Sequence, residues 1–462
     1  MTDIISPIDY RYGRESVKHL FSEENKFQLM LKVEMEICRA EEKLGLIPDG
    51  TARHVENAIK EGRPKLERMK EIEKETKHDV MAMIRTLSEA APEAAPYIHL
   101  GATSNDINDT VTAIQLRDFF KILFNDLLDL QSALMFQIRE HKGTVMLGRT
   151  HGQHSSPITF GLKMAVFLSE INRHSVRLME STGRILVGKV MGPVGTGGFL
   201  GDIALDVQRE VMANLHLNWE ENPTQLVGRD RYIEYLSLLN NITVTLEKLG
   251  TEIRNLQRPE IGEVSESFDS ASQVGSSSMP SKTNPIDAEN ICSISRLTRA
   301  MILPEYESSV QWHERDLTNS ASERFTIPYA SVLTDDILAK ATSLVKNLSV
   351  HSERMWSNLI ADKLAMSESA VKFLWSKKIP RQDAHEIVRK ASMEAISKKI
   401  PLDVCLRNYM EKNGVDISGI EDAFNPRKFL GVSEEICEMT LRRTEALQSE
   451  MKDFIGGEKW IA

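Results

Sequence analysis

A chain of 462 residues is long enough for two or three domains around a large core, and a net charge of −10 with a pI near 5.8 speaks against nucleic acid as a partner. No run of about 18 apolar residues exists to span a membrane, and Met1 to Pro7 lacks the basic-then-apolar pattern of a secretory signal. Cys38, Cys292, Cys405 and Cys437 are scattered with no Cys-x-x-Cys pair, which fits buried thiols in a soluble cytoplasmic protein and not a disulfide frame or zinc ribbon.

Along the chain, Glu71 to Arg85 is charged and predicted helical, so its Lys77-His78-Asp79 reads by itself as a solvated face. His99, within Tyr97-Ile98-His99-Leu100-Gly101, is a lone histidine of the kind that is more often structural. The polar Thr103-Ser104-Asn105-Asp106 predicts a helix cap and a domain boundary near 104. From Ala102 to Lys142 there is no Gly or Pro. Leu116, Phe119, Phe120, Leu123, Phe124, Leu127, Leu130, Leu134 and Ile138 recur at three- and four-residue spacing, which predicts a helix of about ten turns. A short strand-like piece, Thr144 to Leu147, leads into Arg149-Thr150-His151-Gly152-Gln153-His154. Two histidines three apart are half of a metal site, but no third ligand lies nearby in sequence.

Arg229 to Arg258 is a further helix interrupted only by Gly250, and Ile286 to Leu303 another. Between them a serine-rich approach, reading as a flap, runs into Gly275-Ser276-Ser277-Ser278-Met279-Pro280-Ser281-Lys282-Thr283-Asn284-Pro285. Backbone N–H groups, a helix N-terminus and the Lys282 ammonium would aim positive potential at one point there, an arrangement that holds anions. It is no P-loop, because Ser281 and not Gly precedes the lysine. Gln311 to Arg324 carries Arg315, Ser320 and Arg324, two guanidinium forks and a hydroxyl that suit a phosphate dianion if the chain turns between them; otherwise Glu314 and Glu323 make it a surface salt-bridge stretch. Tyr329 to Ile379 again lacks Gly and Pro, so a second boundary near 348 falls inside an unbroken helical tract. The class is all-α, and helices this long imply a bundle continued across subunits.

The Gly275–Pro285 loop resembles the signature of the fumarase/aspartase superfamily, with every fixed position of Gly-Ser-Ser-x-Met-Pro-x-Lys-x-Asn-Pro present. Within the superfamily, the chain from Pro7-Ile8-Asp9-Tyr10-Arg11-Tyr12-Gly13 into its last hundred residues is most similar to adenylosuccinate lyases. The resemblance implies three helical domains (1–104, 105–348 with the signature loop 262–285, and 349–462) and a homotetramer whose active sites are shared between subunits. It implies succinylated nucleotides as small-molecule substrates, fumarate as product, and neither metal nor cofactor.

The same resemblance assigns roles. Ser276 is the base that takes a carbon-bound proton, and His151 is the general acid toward the leaving nitrogen, for which an imidazole with a near-neutral pKa is suited. Glu289 pairs with that histidine. Lys282, Asn284 and loop N–H groups stabilise the carbanion's dianionic carboxylate. His78 approaches the reacting centre, with Lys77, Asp79, His99, Thr103 and Ser104 lining the substrate site. Arg315, Ser320 and Arg324 take the nucleotide 5′-phosphate, and Arg11, Tyr12 and Gln225 complete the set. Ser278, Ser281 and Gly228 depart from the usual residues of relatives without removing a catalytic group. The alternatives are another lyase of the superfamily, such as argininosuccinate lyase or a carboxymuconate cycloisomerase, and a noncatalytic structural relative.

Overall fold

The apolar residues that recur from Leu116 to Ile138 are all fully buried, because the helix that carries them runs through the centre of the molecule. The computed structural model describes residues 5–268, 275, 278, 279, 281–362 and 364–457. Its central helix, α1 (Ser104–His141), has 38 residues and so extends about 57 Å. Thr103 begins it with a capping box: its side chain takes the Asp106 N–H, and the Asp106 carboxylate takes the Thr103 N–H at 2.8 Å.

After α1 the chain turns through a hairpin, β1 (Val145–Thr150) and β2 (Gln153–Thr159), and returns along α1 as α2 (Phe160–Ile185). Thr150 pairs with Gln153, which leaves His151-Gly152 as a two-residue turn with φ of 54° and 72°. Positive φ at both positions defines a type I′ turn, and Gly152 supplies the second at no steric cost. Three more long helices complete the bundle with α1 and α2: α3 (Asp230–Leu256), α4 (Ile286–Ala300) and α5 (Thr318–Lys346). Polar contacts fix their directions. The α3 start lies by the α1 start, through Arg229 and Asp109 at 2.7 Å. α4 runs against α3, with Ser295 Oγ donating to the Thr243 carbonyl at 3.0 Å. α5 runs with α1, its Val345 carbonyl accepting from Gln137 at 2.9 Å. Gly250 sits where a Cβ would meet the Ala288 carbonyl at 3.0 Å and Cys292 Sγ at 3.2 Å. The single glycine in α3 therefore marks the close approach of α4 and does not interrupt the helix.

The last helix, α6 (Ser433–Gly456), folds back on α1 and α2, with Lys142 to Glu438 at 2.6 Å and Asn172 to Thr444 at 2.7 Å. Residues 370–420 build a separate small core around Phe373, Leu374, Val388, Leu406 and Met410. The described residues are thus helical with three two-stranded pairings, as the all-α class requires. All four cysteines are buried and free. Among the described residues no helix is long and apolar enough to cross a membrane.

Two sequence expectations need correction. Tyr329 to Ile379 is not one helical tract: α5 ends at Lys346, and Ser349–Val350 (β4) pairs with Val264–Ser265 (β3) before helices resume at Ser352. Backbone pairing with a distant segment overrides local helix preference there, and absence of Gly and Pro does not report it. Glu71 to Arg85 is also divided, since one helix ends at Thr76 and the next begins at Asp79. Lys77 takes the left-handed conformation (φ 55°), and the His78 ring nitrogen Nδ1 caps the new helix by accepting the Met81 N–H at 3.3 Å.

The helix Glu23–Lys43 buries Glu34, Glu36 and Glu41 beside its apolar residues. Neither Glu41 oxygen has a hydrogen-bond partner among the described residues, and burial, with the Glu34 charge behind it, pushes this carboxyl up to about 8. A folded-state pKa above the unfolded value of ~4.3 means that the native protein holds the extra proton. The group's contribution to stability is then fully present at acid pH and is lost as pH rises through about 8. Glu41→Gln is expected to flatten the decline of melting temperature over that range. An unchanged slope contradicts the assignment.

Candidate active site

The expected site residues separate into two groups at opposite ends of α1. At its start, the Asp106 carboxylate is fully buried and accepts from the Lys189 ammonium, from Met191 N at 3.1 Å and from Gly192 N at 3.0 Å. This anchors Thr103 and Ser104, and the Ser104 hydroxyl lies 3.3 Å from His78 Nε2. Lys77 is exposed beside it. His99 has a left-handed backbone (φ 65°) and sets its Nδ1 2.5 Å from the buried Glu34 carboxylate. Burial works against a charged His99 ring, and Glu34 outweighs it, so the pKa is raised.

The segment 311–324 does turn. Asp316 accepts from Trp312 N and Thr318 N, each at 2.8 Å, and α5 then carries Ser320 and Arg324 one turn apart. Arg315, Ser320 and Arg324 line one cleft of about 340 Å³ together with Asp79. Arg315 donates to Gln225 Oε1 at 2.6 Å, and Gln225 in turn donates to the Pro193 carbonyl at 3.1 Å. The Arg315 Nε is buried without a partner among the described residues. Arg324 is 3.6 Å from Asp79. Glu323 is no surface partner for Arg315: it joins Asp109 in gripping the buried Arg229, at 2.8 and 2.7 Å, under the cleft.

The second group lies beyond the far end of α1. His151 stands exposed at the tip of the hairpin, while Arg149, two residues before it, is clamped by Glu263 at 2.8 and 2.9 Å. His154 does meet an acid, Asp362 at 2.6 Å, which folding and not sequence proximity supplies. Lys282 is exposed, and Asn284 donates to the Gly275 carbonyl at 3.0 Å. Ser276 and the rest of the serine-rich approach from 269 to 274 lie outside the described residues. Glu289 is exposed on the first turn of α4, and among the described residues no bond joins it to His151.

One element of the anion reading is displaced. The first N–H groups of α4, at Asp287 and Ala288, donate to the Glu266 carboxylate at 3.2 and 2.8 Å. The helix terminus is therefore satisfied by the protein's own anion and is not the anion site that the sequence suggests. Arg11 lies 5.8 Å over the Tyr12 ring, whose other neighbour is the Lys340 ammonium at 5.1 Å. Lys340 also donates to Asn290, next to Glu289, at 2.8 Å. Within one chain Arg11 and Tyr12 thus belong with the C-terminal half of α5, away from the phosphate-type cleft.

Sequence reasoning missed Glu34, Asp109, Arg229 and Glu266. Each lies in a charged or mixed stretch, where only tertiary contacts distinguish a site residue from a solvated one.

Residues 10–298 match the family described as lyase, and residues 363–440 match the adenylosuccinate lyase C-terminus. Adenylosuccinate lyase of Methanocaldococcus jannaschii is 42% identical over 441 residues, covering 95% of this chain and 96% of that protein. Adenylosuccinate lyase of Pyrococcus abyssi is 41% identical over 451 residues, covering 96% and 99%. Among solved structures, fumarate lyase from Mesorhizobium sp. BNC1 superposes with a TM-score of 0.86 at 30% identity, covering 93% of this chain and 98% of that one. The 3-carboxy-cis,cis-muconate lactonizing enzyme from Pseudomonas putida gives 0.85 at 26% identity, covering 95% and 99%. The long-helix bundle and the matched family define a lyase of the fumarase/aspartase type. More narrowly, the chain belongs to the adenylosuccinate lyase family.

Proposed function

We propose that the chain releases fumarate from adenylosuccinate, giving AMP, and from the succinylated aminoimidazole carboxamide ribonucleotide, in purine nucleotide biosynthesis in the cytoplasm. The observation that carries this reading is the convergence of Arg315, Ser320 and Arg324 on one cleft. Guanidinium forks and a hydroxyl around a half-buried space suit a phosphate dianion, which a lyase of small diacids has no need to hold.

The chemistry is a β-elimination. Ser276, as alkoxide, takes the proton from the succinyl Cβ, and the electron pair is held by the adjacent carboxylate as a dianion that Lys282 and Asn284 stabilise. Collapse of that pair forms the fumarate double bond and breaks the C–N bond, and His151 gives the departing nitrogen its proton. His78 approaches the reacting centre, Lys77, Asp79, His99, Thr103, Ser104 and Gln225 orient the nucleotide, and Arg11 and Tyr12 come from a neighbouring chain. His78 and His151 stand beyond opposite ends of a helix about 57 Å long, so a site that uses both draws on more than one chain. A homotetramer fits this. Leu303, Val310, Trp312, Leu317 and Phe325 are all more than half exposed, and a neighbouring subunit would cover them. The three domains divide near 104 and 348.

Ser276→Ala is expected to lower kcat by roughly 10²–10⁴-fold while nucleotide binding persists. Near-normal turnover in that variant would remove the serine from the mechanism.

A further inference from the structure

We propose that Lys26 is a third cation of the phosphate cleft, placed beside Asp79 and within reach of a bound dianion. This rests on the functional reading above and adds a residue to it. Lys26 lies in the first turn of the helix Glu23–Lys43 and lines the cleft with Arg315, Ser320 and Arg324. Its ammonium is 3.8 Å from Asp79 Oδ2, and Arg324 is 3.6 Å from the same oxygen. A structural ion pair closes to hydrogen-bond distance, ~2.7–3.2 Å. Here one carboxylate oxygen lies between two cations and bonds tightly to neither.

Most carboxylates of the cleft already have cation partners of their own. Glu323 and Asp109 are both taken by Arg229, and Glu23 is ion-paired with Lys70. Glu73 and Asp79 then face Lys26, Arg315 and Arg324. The Arg315 Nε is buried with no partner among the described residues. Burial holds the Lys26 ammonium below the ordinary lysine range despite the Asp79 charge, with Arg324 adding to the effect. A phosphate oxygen supplies the compensation that Asp79, at its distance, does not. Lysine suits this task because a flexible four-carbon stem lets a point charge swing from one acceptor to another.

The test compares the wild-type chain with Lys26→Met, which keeps the stem and removes the charge, and with Lys26→Arg. AMP and adenosine serve as binding probes, alongside steady-state kinetics on adenylosuccinate. Lys26→Met is expected to raise KM and weaken AMP binding by about 10- to 100-fold, the effect of losing one charge-assisted contact. It should leave kcat within about threefold and adenosine affinity unchanged, and Lys26→Arg should restore most of the loss. Equal weakening of AMP and adenosine would show a structural lysine and overturn the proposal, as would unchanged AMP binding. If Lys26→Met does not assemble, Lys26→Gln is read by the same criteria. Failure of the functional reading looks different: the wild-type chain itself would release no fumarate and would bind AMP no better than adenosine.

Discussion

His151→Ala and His78→Ala are each expected to lower turnover by roughly 10²–10⁴-fold, and a mixture of the two, unfolded and reassembled together, to regain up to about a quarter of the wild-type activity. The reason is the placement of the two rings. His78 caps a helix beside the start of α1, within 3.3 Å of Ser104, whereas His151 occupies the hairpin turn past the other end. Two side chains separated by about 57 Å of helix do not act on one substrate from the same chain. A site built from His78 of one subunit and His151 of another is intact whenever each donor is the unmutated copy, which random mixing gives in roughly a quarter of sites. If both histidines served a site from a single chain, every site in the mixture would lack one of them. Recovery of activity, read by fumarate release against the unmixed variants, separates the two cases.

Arg229→Met is expected to be the most damaging single change to stability among the charged residues described here. The Arg229 side chain is 3% exposed and holds Asp109 at 2.7 and 3.0 Å and Glu323 at 2.8 and 3.0 Å. Burial, with the Glu323 charge behind it, already pushes the nearby Glu305 up to about 8. Removing the guanidinium leaves two further carboxylates in the same place with nothing to oppose them, a loss on the order of 3–5 kcal/mol. The α1, α3 and α5 starts meet at this point, so the cleft loosens with it. Thermal unfolding checks the size of the effect, and adding Asp109→Asn and Glu323→Gln should recover part of it by removing the stranded charges. A melting temperature within a degree or two of wild type would show that the network is not what joins the three helices.

Much of this architecture was legible in the residues. The tract free of Gly and Pro from Ala102 to Lys142 gave α1 nearly to its ends, and the stripe from Leu116 to Ile138 inside it gave the buried face. Thr103 and Asp106 announced its cap by chemistry that needs no partner from elsewhere in the chain. Arg315, Ser320 and Arg324 were read as convergent if the chain turned, and Asp316 makes that turn. What stayed hidden depended on contacts between distant segments. The break at Ser349–Val350 exists because β3 waits to pair with it. The α4 terminus receives Glu266, a residue that no local pattern directs there. Lys26 and Glu34 sit on a helix of mixed charge, and only the fold turns one toward a cleft and the other toward His99.

The most direct measurement is the fate of adenylosuccinate given to the purified, assembled protein. The account predicts disappearance of the succinylpurine with AMP and fumarate formed in equal amounts, saturating with substrate and competed by AMP. An intact adenylosuccinate, with fumarate released instead from argininosuccinate or a muconate lactone formed from carboxymuconate, would contradict it.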